Sequence, residues 1–390
     1  MSQHKFISIS NETDFYDKKL KGQLEFLSKN GFEIIAVAPT ATDLKTLNTT
    51  ENLSTISIKI AQGISIFKDC NAFWKLFRLF RKEKPQIVHT YNSKTGVLAM
   101  MAARLAGVPN RLHTMQGVDL LNKKGFKRKI YNTIEKWACA SATKVYALSE
   151  GWKEFIVQNK FVKAEKVDVI GEGGMNGIDL LHFKRENVPE EQKRKLMDEL
   201  RLTDEDFVFM YAGPLTVEKG IDELIMAFDD MKYTVMGNKP NVRLLLLAST
   251  PPDFQSLSPK ALKILNQERR IITTDFQEDL RPYFAIADCL VYPSHIEGFP
   301  EVVLQVGAMG LVSVVADVKG SNEIIDQRIN GVIVPLADTE ELAMAMTRLK
   351  VYDDYRNLMS KNARIMAEKR YEQSLVWKTI LEEYKTLMNS

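Results

Sequence analysis

Cysteine is scarce in this 390-residue chain: Cys70, Cys139 and Cys289 are scattered, odd in number and without CxxC spacing. That usage argues against a disulfide framework and a structural zinc site, and it fits a reducing compartment. Long apolar runs are also missing. The longest, Val302 to Ala316, spans 15 residues and contains Gln305 and Ser313, short of a bilayer span. The opening MSQHKFISIS has too short an apolar run for a signal peptide and reads as the start of a strand. The expectation is a cytoplasmic chain. A strong excess of one charge is absent too, because 53 Lys and Arg face 50 Asp and Glu, so the global field offers nothing to nucleic acid. With no internal repeat and no low-complexity tract, solenoids and disordered tails drop out.

What is present is a size and pattern that suit two α/β domains. Short β-branched or apolar runs recur as FISIS at 6, EIIAVA at 33, QIVHT at 86, TKVYAL at 143 and KVDVI at 166. Helical patterns from Tyr16 to Asn30, Ala72 to Lys84 and Thr95 to Leu105 alternate with them, which predicts a parallel sheet covered on both faces. After a charged stretch from Lys184 to Asp206 the alternation restarts with FVFMYAG at 207, VRLLLLAS at 242, RIITT at 270, DCLVYP at 288, VSVVA at 312 and GVIVP at 331. The expected division is residues 1–180 and 181–369, with a cleft between two Rossmann-like domains and a terminal helix, about 370–390, packing back on the first.

In open parallel sheets ligands bind beyond the carboxyl ends of strands. The most informative loop there is Ser294-His295-Ile296-Glu297-Gly298-Phe299-Pro300-Glu301-Val302-Val303-Leu304-Gln305. A strand ends, a glycine turn follows and Pro300 opens a helix whose free N–H groups and dipole favour an oxygen-rich ligand. Glu297 sits just before that start, and Gln305 lies one turn beyond Glu301 on the same face.

This segment resembles the donor-binding signature of glycosyltransferase family 4. The similarity continues through Gly310 to Ala316, Gly320-Ser321-Asn322-Glu323 and Asn330 to Pro335, and back through Tyr211-Ala212-Gly213-Pro214-Leu215 with Lys219-Gly220. The first half matches more thinly, at Lys94-Thr95-Gly96, Ala103 to Pro109 and Ser149-Glu150. The resemblance implies the GT-B fold, a nucleotide sugar (UDP- or GDP-linked) as co-substrate, no metal and retention at the anomeric carbon. It puts Glu297 near the hydroxyls of the transferred sugar, Lys219 on the donor diphosphate and position 305 on the ribose. Gly213, Gln277, Gly298, Phe299, Pro300, Glu301 and Val302 join the donor-binding set, and backbone amides near Gly320-Ser321 could supplement Lys219. Asn92, Gln116 and Asn176 are the candidates on the acceptor side.

Two positions depart from the family. Gln305 stands where a carboxylate is usual and offers one acceptor oxygen for the ribose. Pro214 stands where an arginine usually assists the lysine, so leaving-group stabilisation needs another cation, with His295 one candidate. Gln116 likewise replaces a histidine often found there, which excludes an acid–base role at that position.

Three stretches have bland readings. Gly171 to Gly177 mimics a dinucleotide loop but lacks its third glycine. Asp204-Glu205-Asp206 has the spacing of a metal chelate yet precedes a strand, as a solvated turn would. In Asn71 to Lys82, the Phe73, Phe77 and Phe80 stripe reads as core. The cations Lys123, Lys124, Lys127, Arg128 and Lys129, beside aromatic residues, suit an anionic membrane surface or a lipid pyrophosphate, and equally a merely solvated face. The expected reaction is sugar transfer to a glycan acceptor, an undecaprenyl-pyrophosphate-linked one for capsule or lipopolysaccharide-type assembly. The alternatives are a catalytically weak donor-binding subunit and a GT-B-fold sugar-nucleotide epimerase.

Overall fold

The computed structural model of the chain describes residues 4–12, 14–40, 51–60, 65–116, 125–234, 241–248, 256–275 and 277–389. They form two compact units: Met1–Gly177 with Gln373–Ser390, and Ile178–Glu372.

The first unit is built on a seven-stranded parallel sheet in the order β3-β2-β1-β4-β5-β6-β7. Its strands are β1 His4–Ile9, β2 Phe32–Ala38, β3 Leu53–Ser57, β4 Ile87–Thr90, β5 Asn110–Met115, β6 Lys144–Ala147 and β7 Val167–Val169. The helices Ile66–Glu83, Ser93–Ala106 and Gly125–Ser141 contribute to the apolar layer on one face, around Leu76, Phe80, Met100 and Ala103. On the other face Phe15, Leu24 and Leu27 pack with Ile380, Leu381 and Tyr384 of the Gln373–Asn389 helix. Each fully buried Leu, Ile or Phe contributes roughly 1.5–3 kcal/mol, so that terminal helix is part of the first unit's core.

Two details differ from the sequence pattern. The single helix expected from Tyr16 to Asn30 is two, Phe15–Lys18 and Gln23–Lys29. Gly22 parts them at φ +77, where a side chain would collide with the Trp377 ring, 2.5 Å from an added Cβ. Strand β3 was not anticipated, because Ser54, Thr55 and Ser57 give it no apolar run; its pairing with Ile34 to Ala38 makes it a strand.

The second unit holds a six-stranded parallel sheet in the order β10-β9-β8-β11-β12-β13. Its strands are β8 Phe207–Gly213, β9 Val242–Ala248, β10 Ile271–Thr274, β11 Cys289–Tyr292, β12 Val312–Ala316 and β13 Gly331–Val334. β11 and β12 are buried at every residue, as continuous apolar runs in a covered sheet should be. In each sheet the strand order reverses once, between β1 and β4 and between β8 and β11, and the loops after those strands diverge to open a crevice.

Candidate active site

The second crevice holds a charged cluster. Beyond β8 the chain makes a short 3-10 turn, Val217–Lys219, ending at Gly220 with φ +72. A Cβ at Gly220 would stand 2.1 Å from the Pro293 carbonyl oxygen, so only glycine lets this turn press against the end of β11. The His295 amide then donates to the Glu218 carbonyl at 3.0 Å, fastening the two loops together. Lys219 and Glu297, 78 residues apart, meet as a consequence: Nζ lies 2.5 Å from Oε1.

The Tyr292 hydroxyl donates to the same oxygen at 2.8 Å, and its ring stacks on Tyr211 at 5.6 Å between centroids. Tyr211 in turn donates to the Pro214 carbonyl at 2.9 Å, in the space a side chain at Gly213 would fill. Burial, with the Glu297 charge second, holds both phenols well above their ordinary pKa, so each remains a proton donor. Glu297 thereby has one oxygen fixed by an ammonium and a phenol, while its Oε2 accepts from no described protein group. At 8% and 17% side-chain exposure, Glu297 and Lys219 are enclosed enough for strong electrostatics and open enough to meet a ligand.

The other donor-side residues surround this pair. Gly298 is buried against Gly320, whose φ of +91 and missing Cβ allow a backbone approach to the Gly298 carbonyl. Phe299 packs edge-on to Tyr371 at 5.7 Å, and Pro300 caps the Glu301–Ala308 helix. Glu301, Val302 and Gln305 are half-buried on that helix. His295 Nε2 stands 3.1 Å from Glu223 Oε1 without the alignment of a hydrogen bond. Gln277 lines a different concavity with Gln192, Leu196 and Tyr283, and neither Glu297 nor Lys219 is among its lining residues. A further concavity, lined by Asp317, Arg328, Arg348 and Tyr355, lies against β13 and shares none of the donor-side residues.

Two expectations are corrected. The amides near Gly320-Ser321 are not free for a phosphate: Gly320 N–H donates to Glu323 Oε1 at 3.2 Å, and Ser321 and Asn322 N–H donate to the Val318 carbonyl. What remains there is the buried Ser321 hydroxyl, which has no hydrogen-bond partner among the described residues. Nor is Asp204 to Asp206 simply a solvated turn, because the Asp206 carboxylate is buried against Arg243 at 2.9 Å. Among the described residues no group of three or more His, Cys, Asp or Glu side chains is arranged to hold a metal, and no helix is long and apolar enough to cross a membrane.

In the first unit the candidates have structural partners. Asn92 bridges the β1–β4 crevice by accepting from Ser10 Oγ at 3.0 Å and donating to Glu12. Gln116 donates to the Tyr91 carbonyl at 2.8 Å. Asn176 accepts from Trp377 Nε1 at 2.7 Å and donates to the Lys21 carbonyl, tying the terminal helix to the Gly22 turn. His89 is buried between the Tyr384 hydroxyl at 2.6 Å and Thr114 at 2.8 Å, and desolvation pulls its pKa down to about 3. His113 lies between Thr90 and the buried Glu135. Lys127, Arg128 and Lys129 occupy the first turns of the Gly125–Ser141 helix, whereas Lys123 and Lys124 lie outside the described residues. Sequence reasoning missed Tyr292 and Tyr211 as parts of the site. The available signal was an aromatic residue at the end of each strand that flanks the crevice.

The family model described as "Glycosyl transferases group 1" matches residues 192–366, and the "Glycosyl transferase 4-like domain" matches residues 23–173. The capsular polysaccharide biosynthesis glycosyltransferase CapM of Staphylococcus aureus is 28% identical over 95% of this chain and 94% of its own length. The Escherichia coli UDP-Gal:alpha-D-GlcNAc-diphosphoundecaprenol alpha-1,3-galactosyltransferase is 30% identical over 78% of this chain and 76% of its own. A crystal structure of a glycosyltransferase from Rickettsia africae shares the fold over the full length of both chains, with a TM-score of 0.80 at 18% identity. With two parallel Rossmann-like sheets and matches along nearly its whole length, the chain belongs to glycosyltransferase family 4 and is a nucleotide-sugar-dependent glycosyltransferase of the GT-B fold.

Proposed function

We propose that this enzyme transfers a hexose or related sugar from a UDP- or GDP-linked donor, with retention, to a hydroxyl of an undecaprenyl-pyrophosphate-linked glycan at the inner face of a membrane. The product would feed capsule or lipopolysaccharide-type assembly. The observation that carries the reading is the Lys219–Glu297–Tyr292 cluster at the second crevice. The name of the Escherichia coli relative supports both the donor and the acceptor class.

In this reading the free Oε2 of Glu297 accepts from hydroxyls of the transferred sugar, and Tyr292 keeps the carboxylate in place. Lys219 turns part of its charge toward the diphosphate, which becomes more negative as the glycosidic bond breaks. Gln305 accepts from the ribose. His295, whose Nε2 stands 3.1 Å from Glu223 Oε1, offers a ring N–H to the diphosphate where Pro214 offers none. Lys127, Arg128 and Lys129 face the acceptor phosphates or the lipid headgroups around them. No metal is assigned to the site.

The test is release of nucleoside diphosphate from a panel of nucleotide sugars in the presence of undecaprenyl-pyrophosphate-linked acceptors. Turnover with at least one pair, and an α-linked product from an α-linked donor, is expected. No release with any pair contradicts the reading. Epimerised donor in the absence of acceptor would favour the epimerase alternative, and tight calorimetric donor binding without turnover the donor-binding subunit.

A further inference from the structure

The three helices Ile66–Glu83, Ser93–Ala106 and Gly125–Ser141 lie side by side, the first packed on the second and the second on the third. Their inner sides enter the core at Leu76, Phe80, Met100, Ala103 and Cys139. Their outer sides are unusual for a surface covered only by water. Phe67 is 91% exposed, Phe126 77%, Leu105 67%, Trp137 59% and Trp74 55%. Single exposed apolar residues need no explanation, but a set of large ones on three adjacent helices does.

The charge on these helices has one sign. The first carries five cations against two acids, the second two against none and the third four against one. All three acids are already paired: Asp69 with Lys94, Glu83 with Lys5, and Glu135 with His113. Lys68, Lys75, Arg78, Arg81 and Lys82 of the first helix are exposed around Trp74. Aromatic rings interleaved with exposed cations, beside acids already engaged by partners, form a surface that attracts phosphate headgroups and lets indole and phenyl rings enter the interface. All three helices run antiparallel to parallel strands, so their N-terminal ends stand at the carboxyl edge of the sheet. Phe67, Phe126, Lys127 and Lys129 are therefore on the ligand-binding side of this unit.

We infer that the outer face of these three helices docks on an anionic lipid bilayer, with Phe67, Trp74 and Phe126 entering the headgroup region. The inference deepens the function proposed above and rests on it only for the biological reason, since a lipid-borne acceptor lies at such a surface. It extends the basic segment at 127–129 to the Ile66–Glu83 helix, of which the sequence pattern assigns only Phe73, Phe77 and Phe80 to the core.

The test uses the full chain and vesicles of three parts phosphatidylcholine to one part phosphatidylglycerol, compared with pure phosphatidylcholine, by co-sedimentation at low and high salt. Binding to the anionic vesicles alone, weakened by salt, is expected, with quenching of Trp74 and Trp137 fluorescence by brominated lipid. Each exposed cation near the surface contributes about fivefold in partitioning, so the triple substitution Lys75→Gln, Arg78→Gln, Arg81→Gln should lower it by roughly a hundredfold. Trp74→Ser should lower it by about tenfold. Circular dichroism should be unchanged for both variants, since every substituted residue is exposed. Turnover on a short-chain, water-soluble acceptor should also be unchanged, which separates failure of the docking surface from failure of the proposed reaction. Equal binding to neutral vesicles, no binding to either, or unchanged binding by the triple variant overturns the inference. So does Trp74→Ser dissolving a dimer without affecting vesicle binding, because the face would then be covered by a second copy of the chain.

Discussion

The two units share one topology and fill its crevice differently. Between β1 and β4 the diverging loops are bridged by Asn92, whose amide accepts from Ser10 and donates to Glu12. Between β8 and β11 they are bridged by an ammonium and a carboxylate, with Glu297 Oε2 left open. The polar clusters behind the crevices differ in the same way. In the first unit both ring nitrogens of His89 and of His113 are used within the protein. A closed network specifies packing, whereas one with spare acceptors and a charge to share can take a ligand. The common strand order thus supplies two candidate sites, and saturation of their hydrogen bonds distinguishes them.

Substitutions can break this contrast. The largest effect is expected at Glu297. Glu297→Ala should lower kcat/KM by on the order of a thousandfold, about 4 kcal/mol of transition-state stabilisation, at unchanged fold. Steady-state release of nucleoside diphosphate, with circular dichroism as control, measures it. His113→Ala should do the reverse and destabilise the first unit by roughly 2–4 kcal/mol, because a buried ring is lost and Glu135 Oε2 is left without its donor, Ser93 Oγ remaining on Oε1. Chemical denaturation reads that loss, and turnover per folded molecule should stay near the parent value. A large kcat effect from His113→Ala, with stability intact, would erase the distinction between the clusters.

Tyr292→Phe sharpens the contrast, since it removes one of the two donors that fix Glu297. A loss of about tenfold in kcat/KM is expected, in line with a hydrogen bond to a charged group. For His89 the expectation concerns pH. Its folded pKa of about 3 lies below the unfolded value near 6.5, so on acidification the unfolded chain takes up a proton that the folded chain refuses. Stability should therefore fall as pH drops from about 6.5 toward 3, with a slope approaching about 1.4 kcal/mol per pH unit from this residue. His89→Gln should flatten that limb in denaturation midpoints taken across the range. The smallest effect is expected from Gln305→Glu, which should hold donor affinity within a few-fold or tighten it, read by calorimetry with the donor.

Much of the fold was legible in the sequence because buried parallel strands are continuous apolar runs, as FVFMYAG and VRLLLLA are. Strand β3 was not, since a polar edge strand is defined by its neighbour rather than by its own composition. The break at Gly22 depends on Trp377, which arrives from the other end of the chain. At the site, Lys219 and Glu297 stood out by their motifs, whereas their direct pairing across 78 residues is a tertiary fact. The amides near Gly320 look free in a sequence and are consumed by Val318 and Glu323 in the folded loop. The Ile66–Glu83 helix shows the same limit: the periodicity that sends Phe80 inward says nothing of Trp74 on the outer side.

The proposed role of the open Glu297 carboxylate in the second crevice is to hold the hydroxyls of the transferred sugar as the glycosidic bond breaks. It is tested most directly by comparing nucleoside diphosphate release by the parent chain and by Glu297→Gln, which keeps shape and removes charge. With the nucleotide sugar and lipid-linked acceptor that the parent uses, turnover should fall by on the order of a hundredfold or more at unchanged melting temperature. Parent-like turnover by Glu297→Gln would contradict the account.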